Sequence, residues 1–469
     1  MRPRQPGKSY RAVFFFINPV PSLKRLFSRW TTWLFITVFL FGVSSCLVSR
    51  VDRTPYRQTA FYQQFKQELS RLRVDTAFAR ADTIRAGWAK VNITPPQPMP
   101  LAGYGMRKGR IYKSVHDSLW ARAFVFDNGV RKAALVTLDL LIVPPALTEA
   151  LARQLPGTGF TLDQVYLTAT HSHHSAGGWA HRLSGWAIAG TYHQAWVDRL
   201  AGHIRQAIQG ADGAKRHASL GVGTFPAGEL VFNRLALGNP TDSLVRVLKI
   251  RQDRGATAAL VTFSAHATCL HADKSILSRD YPGILVDSLE KSTQIDFAAF
   301  CAGAVGSHAP EADGQHFEKA SNMGQFLAQK ILVDFGRIPV VAETEVAVAN
   351  LALPLRRPQW RIGENVRLRP WVFYAFFGRY GANLKAMRIG STVWVGTPCD
   401  FSGELVPPLQ GQAAPATLFV TSFNGAYIGY ITNDACYDRP HYETRDMNWY
   451  GPQNGAYLSE AITELLKRL

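Results

Sequence analysis

Hydrophobic positions change their spacing repeatedly along the chain from about residue 86 onward, and these changes predict its elements. Short, continuous apolar runs predict buried strands at 133–143, 164–168, 245–250, 258–263, 297–300, 345–353, 387–395 and 418–421. Apolar residues at helical spacing predict helices at 192–208, 324–335 and 457–469. Because strands and helices alternate, we expect an α/β or mixed α+β fold of layered sheets with flanking helices, in one domain from 86 to 469.

The first fifty residues have a different pattern. No charged residue occurs from 30 to 49, and the centre of this stretch, 33–43, is strongly apolar. About 20 helical residues span roughly 30 Å, which is the thickness of a bilayer core. We therefore expect one membrane-spanning helix at 30–49, with the basic residues 1–29 in the cytoplasm and the rest of the chain on the extracytoplasmic (periplasmic) side.

Two alternatives for this segment stay open. The run Val43-Ser44-Ser45-Cys46 resembles a lipobox, which makes Cys46 a candidate for lipidation. The segment also fits a cleaved signal peptide. All three interpretations export the main domain. Residues 50–85 are expected to form a polar linker with a short helix, which either spaces the domain from the membrane or packs on it.

The net charge of +18 is high enough to raise the question of nucleic-acid binding. Eight of the basic residues lie in 1–50, where no acidic residue occurs. The rest of the chain has no long basic run, no recognition-helix signature and no glycine-rich phosphate loop. We therefore expect no nucleic-acid partner, and the sequence does not specify a protein partner.

A histidine-rich stretch directly follows one predicted strand. Residues 169–178 read ATHSHHSAGG, with His171 and His173 two positions apart. Side chains at positions i and i+2 of an extended segment point to the same side and can address one metal ion or one substrate. Three histidines within four positions after a buried strand favour a functional site over a structural role.

Further polar residues follow strand-like runs elsewhere in the chain. His266 ends the run TFSAH, Asp400 lies in GTPCDF, and the segment 424–432 follows another apolar run. Loops at strand ends commonly present functional groups. Two histidines and a carboxylate with an open fourth position would form a catalytic zinc centre, which acidifies a bound water and polarises a carbonyl.

These motifs, taken in order, resemble those of the neutral/alkaline (non-lysosomal) ceramidase family, in its N-terminal catalytic domain. The resemblance includes GWAKVNITP at 87–95, LAGYG at 101–105, WARAF at 120–124 and YGP at 450–452, and it extends over most of 86–457. The run THSHHSAGG is similar to the family's THTHSGPGG. The resemblance implies a ceramidase-type fold and a lipid-like substrate with an N-acyl bond.

The resemblance also implies a set of site residues. By position, the family's ligands of Zn²⁺ fall on His171, His266, Asp400 and Tyr430. The family has Glu where this chain has Asp400, which is one methylene shorter but still offers an oxygen ligand. His173 matches the second histidine of the motif, near the reacting carbonyl, and Arg234 and Tyr442 match residues of the polar network around the substrate.

The family's nucleophilic serine is missing from its motif. The family reads approximately GDxSP where this chain reads GSHAP at 306–310, so Ala309 replaces the serine and Ser307 replaces the aspartate. A methyl group cannot attack an amide. Three interpretations stay open: a zinc-activated water attacks while His173 handles the proton, Ser307 acts as a displaced nucleophile, or the site binds without catalysing a reaction.

The sequence thus predicts a membrane-anchored, exported, zinc-dependent hydrolase that cleaves an amide (N-acyl) bond in a lipid-like substrate through zinc-activated water. The alternative is a non-catalytic binding or cell-envelope protein that retains the fold and the metal. The aromatic and basic segment 361–380 has three open interpretations: it touches a lipid surface, lines an apolar substrate groove, or packs in the core.

Overall fold

Two β-sheets organise the chain from Arg50 onward in the computed structural model, which describes residues 31–34, 46–77 and 83–469. Most of the predicted membrane segment at 30–49 lies outside the described residues. Among the helices that are described, none combines the length and the apolar character needed to cross a bilayer.

Nine strands form the larger sheet. Their order is Phe297–Ala302, Thr257–Phe263, Leu244–Gln252, Arg216–Pro226, Arg85–Asn92, Trp120–Asp127, Lys132–Leu138 and Val165–Ala169, with Val341–Ala342 added beside Arg216–Pro226. Neighbouring strands are antiparallel except for the pair at each end of this order, which is parallel. His171 follows the strand Val165–Ala169 of one parallel pair, and His266 follows the strand Thr257–Phe263 of the other.

The large sheet is curled, so that strands from opposite ends of its order touch. Thr137 Oγ1, on the strand next to one end, donates to Phe300 O on the strand at the other end at 2.7 Å. Arg122 Nη1 donates to Ala298 O at 2.8 Å. This curl brings the chain segment that follows Val165–Ala169 close to the segment that follows Thr257–Phe263.

Five strands form the smaller sheet, in the order Asp75–Ala77, Val346–Ala352, Asn383–Ile389, Thr392–Gly396 and Thr417–Thr421. It packs face to face with the large sheet over a core of buried aromatic and aliphatic side chains, among them Phe124 and Phe126 from the large sheet. Trp394 and Phe419 of the small sheet stack there with ring centroids 4.1 Å apart. The shorter strands are Val48–Arg50, Ser114–Val115, Val231–Asn233, Ile276–Leu277, His308–Pro310, Val366–Leu368, Asp400–Phe401 and Tyr430–Ile431.

Helices cover the outer faces of the sheets. The described α-helices are Ala60–Arg71, Pro145–Gln154, Arg182–Ala189, Gln194–Gly213, Asp280–Glu290, Phe317–Phe335, Pro370–Phe377, Val406–Ala413 and Asn454–Leu466. The predicted apolar face of the longest one is buried throughout, at Trp196, Leu200, Ile204 and Ile208. The layered α/β architecture with flanking helices, predicted from the alternating pattern, is confirmed.

Two strand predictions differ from the structure. The run 387–395 is the centre of a hairpin rather than one strand, because Gly390 turns the chain at a φ of +53° between two antiparallel strands. The run 133–143 contains a strand only as far as Leu138. Its remaining apolar residues are buried in a loop, since they face the interior beside the candidate site.

The segment before the domain contains the expected short helix, Ala60–Arg71. Its Phe65 is fully buried, with its ring centroid 5.4 Å from that of Tyr457 in the C-terminal helix. Tyr62 Oη donates to Glu460 Oε1 at 2.6 Å. Of the two arrangements left open for this helix, the structure has the one in which it packs on the domain.

Candidate active site

Two of the predicted histidines meet where the curled sheet brings its ends together. His171 follows the strand Val165–Ala169, and His266 follows the strand Thr257–Phe263. Their ring centroids are 4.7 Å apart. His171 has a φ of +62°, a backbone conformation that is costly for a residue with a side chain and that concentrates at functional sites.

Backbone carbonyls fix the tautomer of both rings. His171 Nδ1 donates to Leu141 O at 2.7 Å, and His266 Nδ1 donates to Val305 O at 2.8 Å. Because a carbonyl oxygen only accepts, each Nδ1 carries the proton and each Nε2 presents a lone pair to the interior. Burial lowers the pKa of His171 to about 3 and holds the pKa of His266 well below its usual range, so both rings stay neutral.

A pair of short parallel strands supplies the predicted oxygen ligands. Asp400 and Tyr430 are direct partners in the ladder between Asp400–Phe401 and Tyr430–Ile431. Asp400 Oδ1 lies 3.6 Å from His171 Nε2 and 3.3 Å from His266 Nε2. Tyr430 Oη lies 3.1 Å from His266 Nε2. The four residues that the resemblance implies as ligands therefore converge on one point.

The donor atoms at this point suit a divalent cation. Asp400 Oδ1 is buried and has no hydrogen-bond partner among the residues that the structure describes, whereas Oδ2 accepts from Tyr427 Oη at 2.6 Å. Burial raises the pKa of this carboxyl group. A cation at this point would be coordinated by this buried oxygen and by both imidazole lone pairs at once. Nitrogen and oxygen donors of this kind are typical of zinc and similar ions.

His173 stands beside this point. Its Nε2 lies 3.2 Å from His171 Nε2, and the candidate ligand atoms of His171, His173 and His266 all lie within 4.8 Å of one another. Its Nδ1 is buried, and none of the described residues offers it a hydrogen bond. Gly103 has a φ of +93°, and a Cβ there would stand 2.8 Å from that Nδ1, which explains the need for glycine in the LAGYG motif.

Arg234 and Tyr442 complete the polar surroundings. Arg234 Nη2 donates to Tyr430 Oη at 3.3 Å and to Gly306 O at 3.1 Å. Its Nε lies 2.9 Å from Glu443 Oε1 in an ion pair. Tyr442 is more exposed, and its ring centroid is 5.8 Å from that of Tyr430. The structure thus places both predicted residues next to the candidate ligands.

Ser307 is not brought to the site in a reactive form. It is fully buried, and its Oγ lies 2.8 Å from His308 Nδ1. His308 Nε2 accepts from the backbone N–H of Asp242 at 2.9 Å, so the imidazole proton must lie on Nδ1 and be donated to Ser307. A hydroxyl that accepts from a histidine is not activated by it. Neither Ser307 nor Ala309 is among the residues that line the cavity described next.

An apolar cavity of about 670 Å³ lies over the candidate ligands, which form part of its wall. Its other walls are largely apolar and aromatic, and include Leu141, Ile142, Trp179, Ile188, Phe373, Phe377, Trp449 and Tyr450. Exposed residues, Met106, Tyr380 and Tyr442, also line it, so the cavity reaches the surface. Of the three interpretations left open for 361–380, the structure favours the wall of an apolar groove, because Phe373 and Phe377 line the cavity.

Three residues of the site were missed by the sequence analysis. Tyr427 lies within the candidate segment 424–432, but nothing in its position indicates that it bonds to Asp400. Glu443 follows the predicted Tyr442 directly. Arg107 donates through Nη1 to His173 O at 2.5 Å, and only its closeness to the LAGYG motif could have drawn attention to it.

The fold and the site together define a mixed α/β protein with a buried histidine–carboxylate–tyrosine centre beneath an apolar cavity. Residues 85–331, more than half of the chain, match the family described as neutral/alkaline non-lysosomal ceramidase, N-terminal, and the chain belongs to this family. The predicted resemblance is thereby confirmed. Family membership supports a ceramidase-like hydrolase, and the buried histidine group supports a metal site.

Solved structures show the same fold. The crystal structure of neutral ceramidase from Pseudomonas aeruginosa matches with a TM-score of 0.70 at 18% identity, over 83% of this chain and 75% of that one. A ceramidase complexed with C2 matches with a TM-score of 0.71 at 18% identity, over 83% of this chain and 76% of that one. At this identity the likeness is one of fold.

Proposed function

We propose that this protein is a zinc-dependent amidohydrolase that cleaves the N-acyl bond of a ceramide-like lipid. The observation that carries the proposal is the convergence of two imidazole lone pairs and the unpaired Asp400 Oδ1 at the wall of an apolar cavity. The family membership supports the reaction class, and the aromatic walls support a substrate with long hydrocarbon chains.

The cavity provides the binding energy that such a substrate needs. Each methylene group that moves from water to an apolar wall contributes about 0.8 kcal/mol. Most of the wall is apolar, and its polar residues include the histidines, Asp400, Tyr430 and Arg234, which lie together. A molecule with one polar amide between apolar chains therefore fits this distribution better than a uniformly polar one.

A cation held by His171, His266, Asp400 and Tyr430 would polarise the amide carbonyl and lower the pKa of a water molecule. We propose water as the attacking group, because Ala309 has no nucleophilic atom and Ser307 Oγ is held by His308. His173 Nε2 lies beside the ligands at 3.2 Å from His171 Nε2. Burial, with the neighbouring histidines and arginines, holds its pKa well below the usual range, so the ring is neutral before the reaction. We propose that it handles the proton of the attacking water.

Arg234 positions Tyr430, one of the candidate ligands. Its Nη2 donates to Tyr430 Oη, while Glu443 balances its charge through the ion pair at Nε. The positive charge of the Arg234 guanidinium favours the ionised form of the Tyr430 phenol. It also places a positive group where negative charge would develop on the carbonyl oxygen.

A second candidate function has one observation in its favour. The serine of the family motif is Ala309, and the nearby Ser307 is locked in a hydrogen-bonded pair with His308. A protein that binds a metal and a lipid without cleaving it would tolerate this loss. The intact arrangement of the candidate ligands, Arg234 and Tyr442 favours the hydrolase.

The deciding experiment uses the full chain in detergent micelles. It measures bound metal and the release of fatty acid from N-acylsphingosines before and after chelation. Under the proposal, chelation stops the release, zinc restores it, and His171→Ala or Asp400→Ala lowers it at least a hundredfold. The exposed His217, which lies in the strand Arg216–Pro226 and does not line the cavity, gives the matched control His217→Ala, with unchanged release. Metal binding without any chelator-sensitive cleavage would establish the binding protein instead.

We also propose that the N-terminal segment holds the domain on the extracytoplasmic face of a membrane, as the uncharged stretch 30–49 indicates. A fusion of alkaline phosphatase to the C-terminus, expressed in a Gram-negative bacterium, tests the side of the membrane. Activity of the fusion in the membrane fraction is expected. Release from the membrane by Cys46→Ala would favour lipidation over a retained helix, and a soluble periplasmic product would favour cleavage.

A further inference from the structure

A second group of metal-ligand side chains lies away from the cavity. His271, Asp273 and His316 offer ligand atoms within 4.8 Å of one another, and none of the three lines the cavity. His271 and Asp273 lie on a tight turn that is closed by Lys274 N donating to His271 O at 3.3 Å. His316 directly precedes the helix Phe317–Phe335.

His316 has two properties that a role in packing does not explain. Its Nδ1 is buried and has no hydrogen-bond partner in the described part of the chain. Its φ is +52°, which is costly for a residue with a side chain. The rings of His271 and His316 meet nearly edge to face, with centroids 4.8 Å apart. This contact provides no hydrogen bond for the buried Nδ1 and gives no reason for the positive φ. A ligand for Nδ1 would account for both.

We propose that His271, Asp273 and His316 form a second metal site, which binds a borderline divalent ion such as Zn²⁺ or Cu²⁺. Two imidazole nitrogens and one carboxylate oxygen suit this class of ion, with water in the remaining positions. His271 and Asp273 are exposed, so the ion reaches the site from solvent. Lys274 Nζ lies 3.4 Å from Asp273 Oδ2 and competes for the carboxylate, which makes this site weaker than the buried one.

The position of the site gives it a structural consequence. The turn that carries His271 and Asp273 also holds Arg107, whose Nε donates to Ala272 O at 3.0 Å. Arg107 Nη1 in turn donates to His173 O at 2.5 Å. An ion that ties this turn to the helix Phe317–Phe335 therefore restrains the backbone beneath His173. The inference does not depend on the proposed hydrolase activity.

Equilibrium dialysis of the full chain against Zn²⁺, with the thermal midpoint measured in parallel, tests the site. We expect two bound equivalents, of which His316→Ala and Asp273→Asn each remove only the weaker one. We also expect the rise in thermal midpoint at high zinc to disappear in both variants. The exposed His217, whose Nδ1 lies 2.8 Å from Thr83 Oγ1, provides the matched control, and His217→Ala should keep both equivalents.

The outcomes separate this inference from the proposed function. Two equivalents that persist in His316→Ala and Asp273→Asn would overturn the second site, as would a single equivalent in the wild type that His171→Ala removes. A single equivalent that His316→Ala removes and His171→Ala does not would support the second site and count against the buried one. If His316→Ala does not fold, His271→Gln replaces it, with the same expected loss of the weaker equivalent.

Discussion

Ser307 Oγ and His308 Nδ1 are 2.8 Å apart, and the proton between them belongs to the histidine. The reason lies on the far side of the ring, where the backbone N–H of Asp242 already donates to Nε2. A serine next to a histidine resembles a nucleophile with its base, but in this pair the histidine donates the hydrogen bond and the serine accepts it. Ser307 and His308 therefore belong to a structural hydrogen-bond network and not to the candidate catalytic centre.

The first prediction concerns this pair. Ser307→Ala should keep the rate of N-acyl hydrolysis within about twofold of the wild type. It should lower the free energy of unfolding by about 1 to 3 kcal/mol, because it leaves a buried donor on His308 without an acceptor. Kinetic assays and urea titration measure the two effects. Ser422→Ala removes another buried serine, which donates to Gly303 O at 2.8 Å, and should behave alike. A large loss of activity in Ser307→Ala alone would instead favour the displaced nucleophile.

Tyr427 should control metal affinity without binding the metal. Tyr427→Phe removes the hydrogen bond to Asp400 Oδ2 and frees the carboxylate to rotate, so the dissociation constant for zinc should rise about 10- to 100-fold. Competition with a chromophoric chelator measures it. Tyr166 is a fully buried tyrosine whose Oη lies 2.6 Å from Thr421 Oγ1. Tyr166→Phe should leave zinc affinity unchanged, and equal affinities in both variants would contradict the prediction.

Stability should fall in acid partly because of His308. Burial lowers its pKa to about 4, and protonation would set a new N–H against the N–H of Asp242. In the unfolded chain the same histidine titrates near its ordinary pKa of about 6.5. The unfolded state therefore binds more protons between these values, so the stability present above about pH 6.5 is lost as the pH falls towards 4.

Urea titrations at pH 7.5 and pH 5 measure this loss. One proton contributes a slope of about 1.4 kcal/mol per pH unit within the interval. His308→Gln should be less stable than the wild type at pH 7.5, but its stability should depend less steeply on pH. An unchanged slope in this variant would show that other groups carry the acid sensitivity.

The wall of the cavity should select for acyl chain length. Phe377 stacks on Phe373 with centroids 4.5 Å apart and also contacts Trp449. Phe377→Ala should raise KM for long-chain N-acyl substrates about tenfold, with little change in kcat, because it removes apolar contact remote from the reacting bond. Phe326, an exposed phenylalanine on another helix that does not line the cavity, gives the control Phe326→Ala. An equal effect on short and long chains would argue against an acyl-binding wall.

The sequence was sufficient for most elements but not for their arrangement. Apolar runs indicated the strands that end before His171 and His266, because buried strands leave a continuous hydrophobic signal. The curl of the large sheet, which brings these strand ends together, depends on contacts such as Thr137 with Phe300 and has no local signature. The grouping of the ligands came from the family resemblance, and only the coordinates show that they meet.

Hydrogen-bond direction was also beyond the sequence. The motif at 306–310 shows that Ala309 replaces a serine and that Ser307 is nearby. Whether Ser307 is activated depends on the donor at the other nitrogen of His308, which comes from Asp242 in a distant segment. In the hairpin at 383–396, two short apolar strands join at Gly390 with little polar interruption, so the pattern indicated one strand.

Two of the candidate ligands, His171 and His266, follow the last strand and the second strand of the large sheet's order, near its opposite edges. An ion that binds His171 and His266 together would cross-link these two edges, much as a disulfide ties two distant segments of a chain. Loss of the ion would first separate the segments that carry the two histidines. Amide hydrogen exchange would therefore rise along Val165–Ala169 and Thr257–Phe263 before the interface between the two sheets changed.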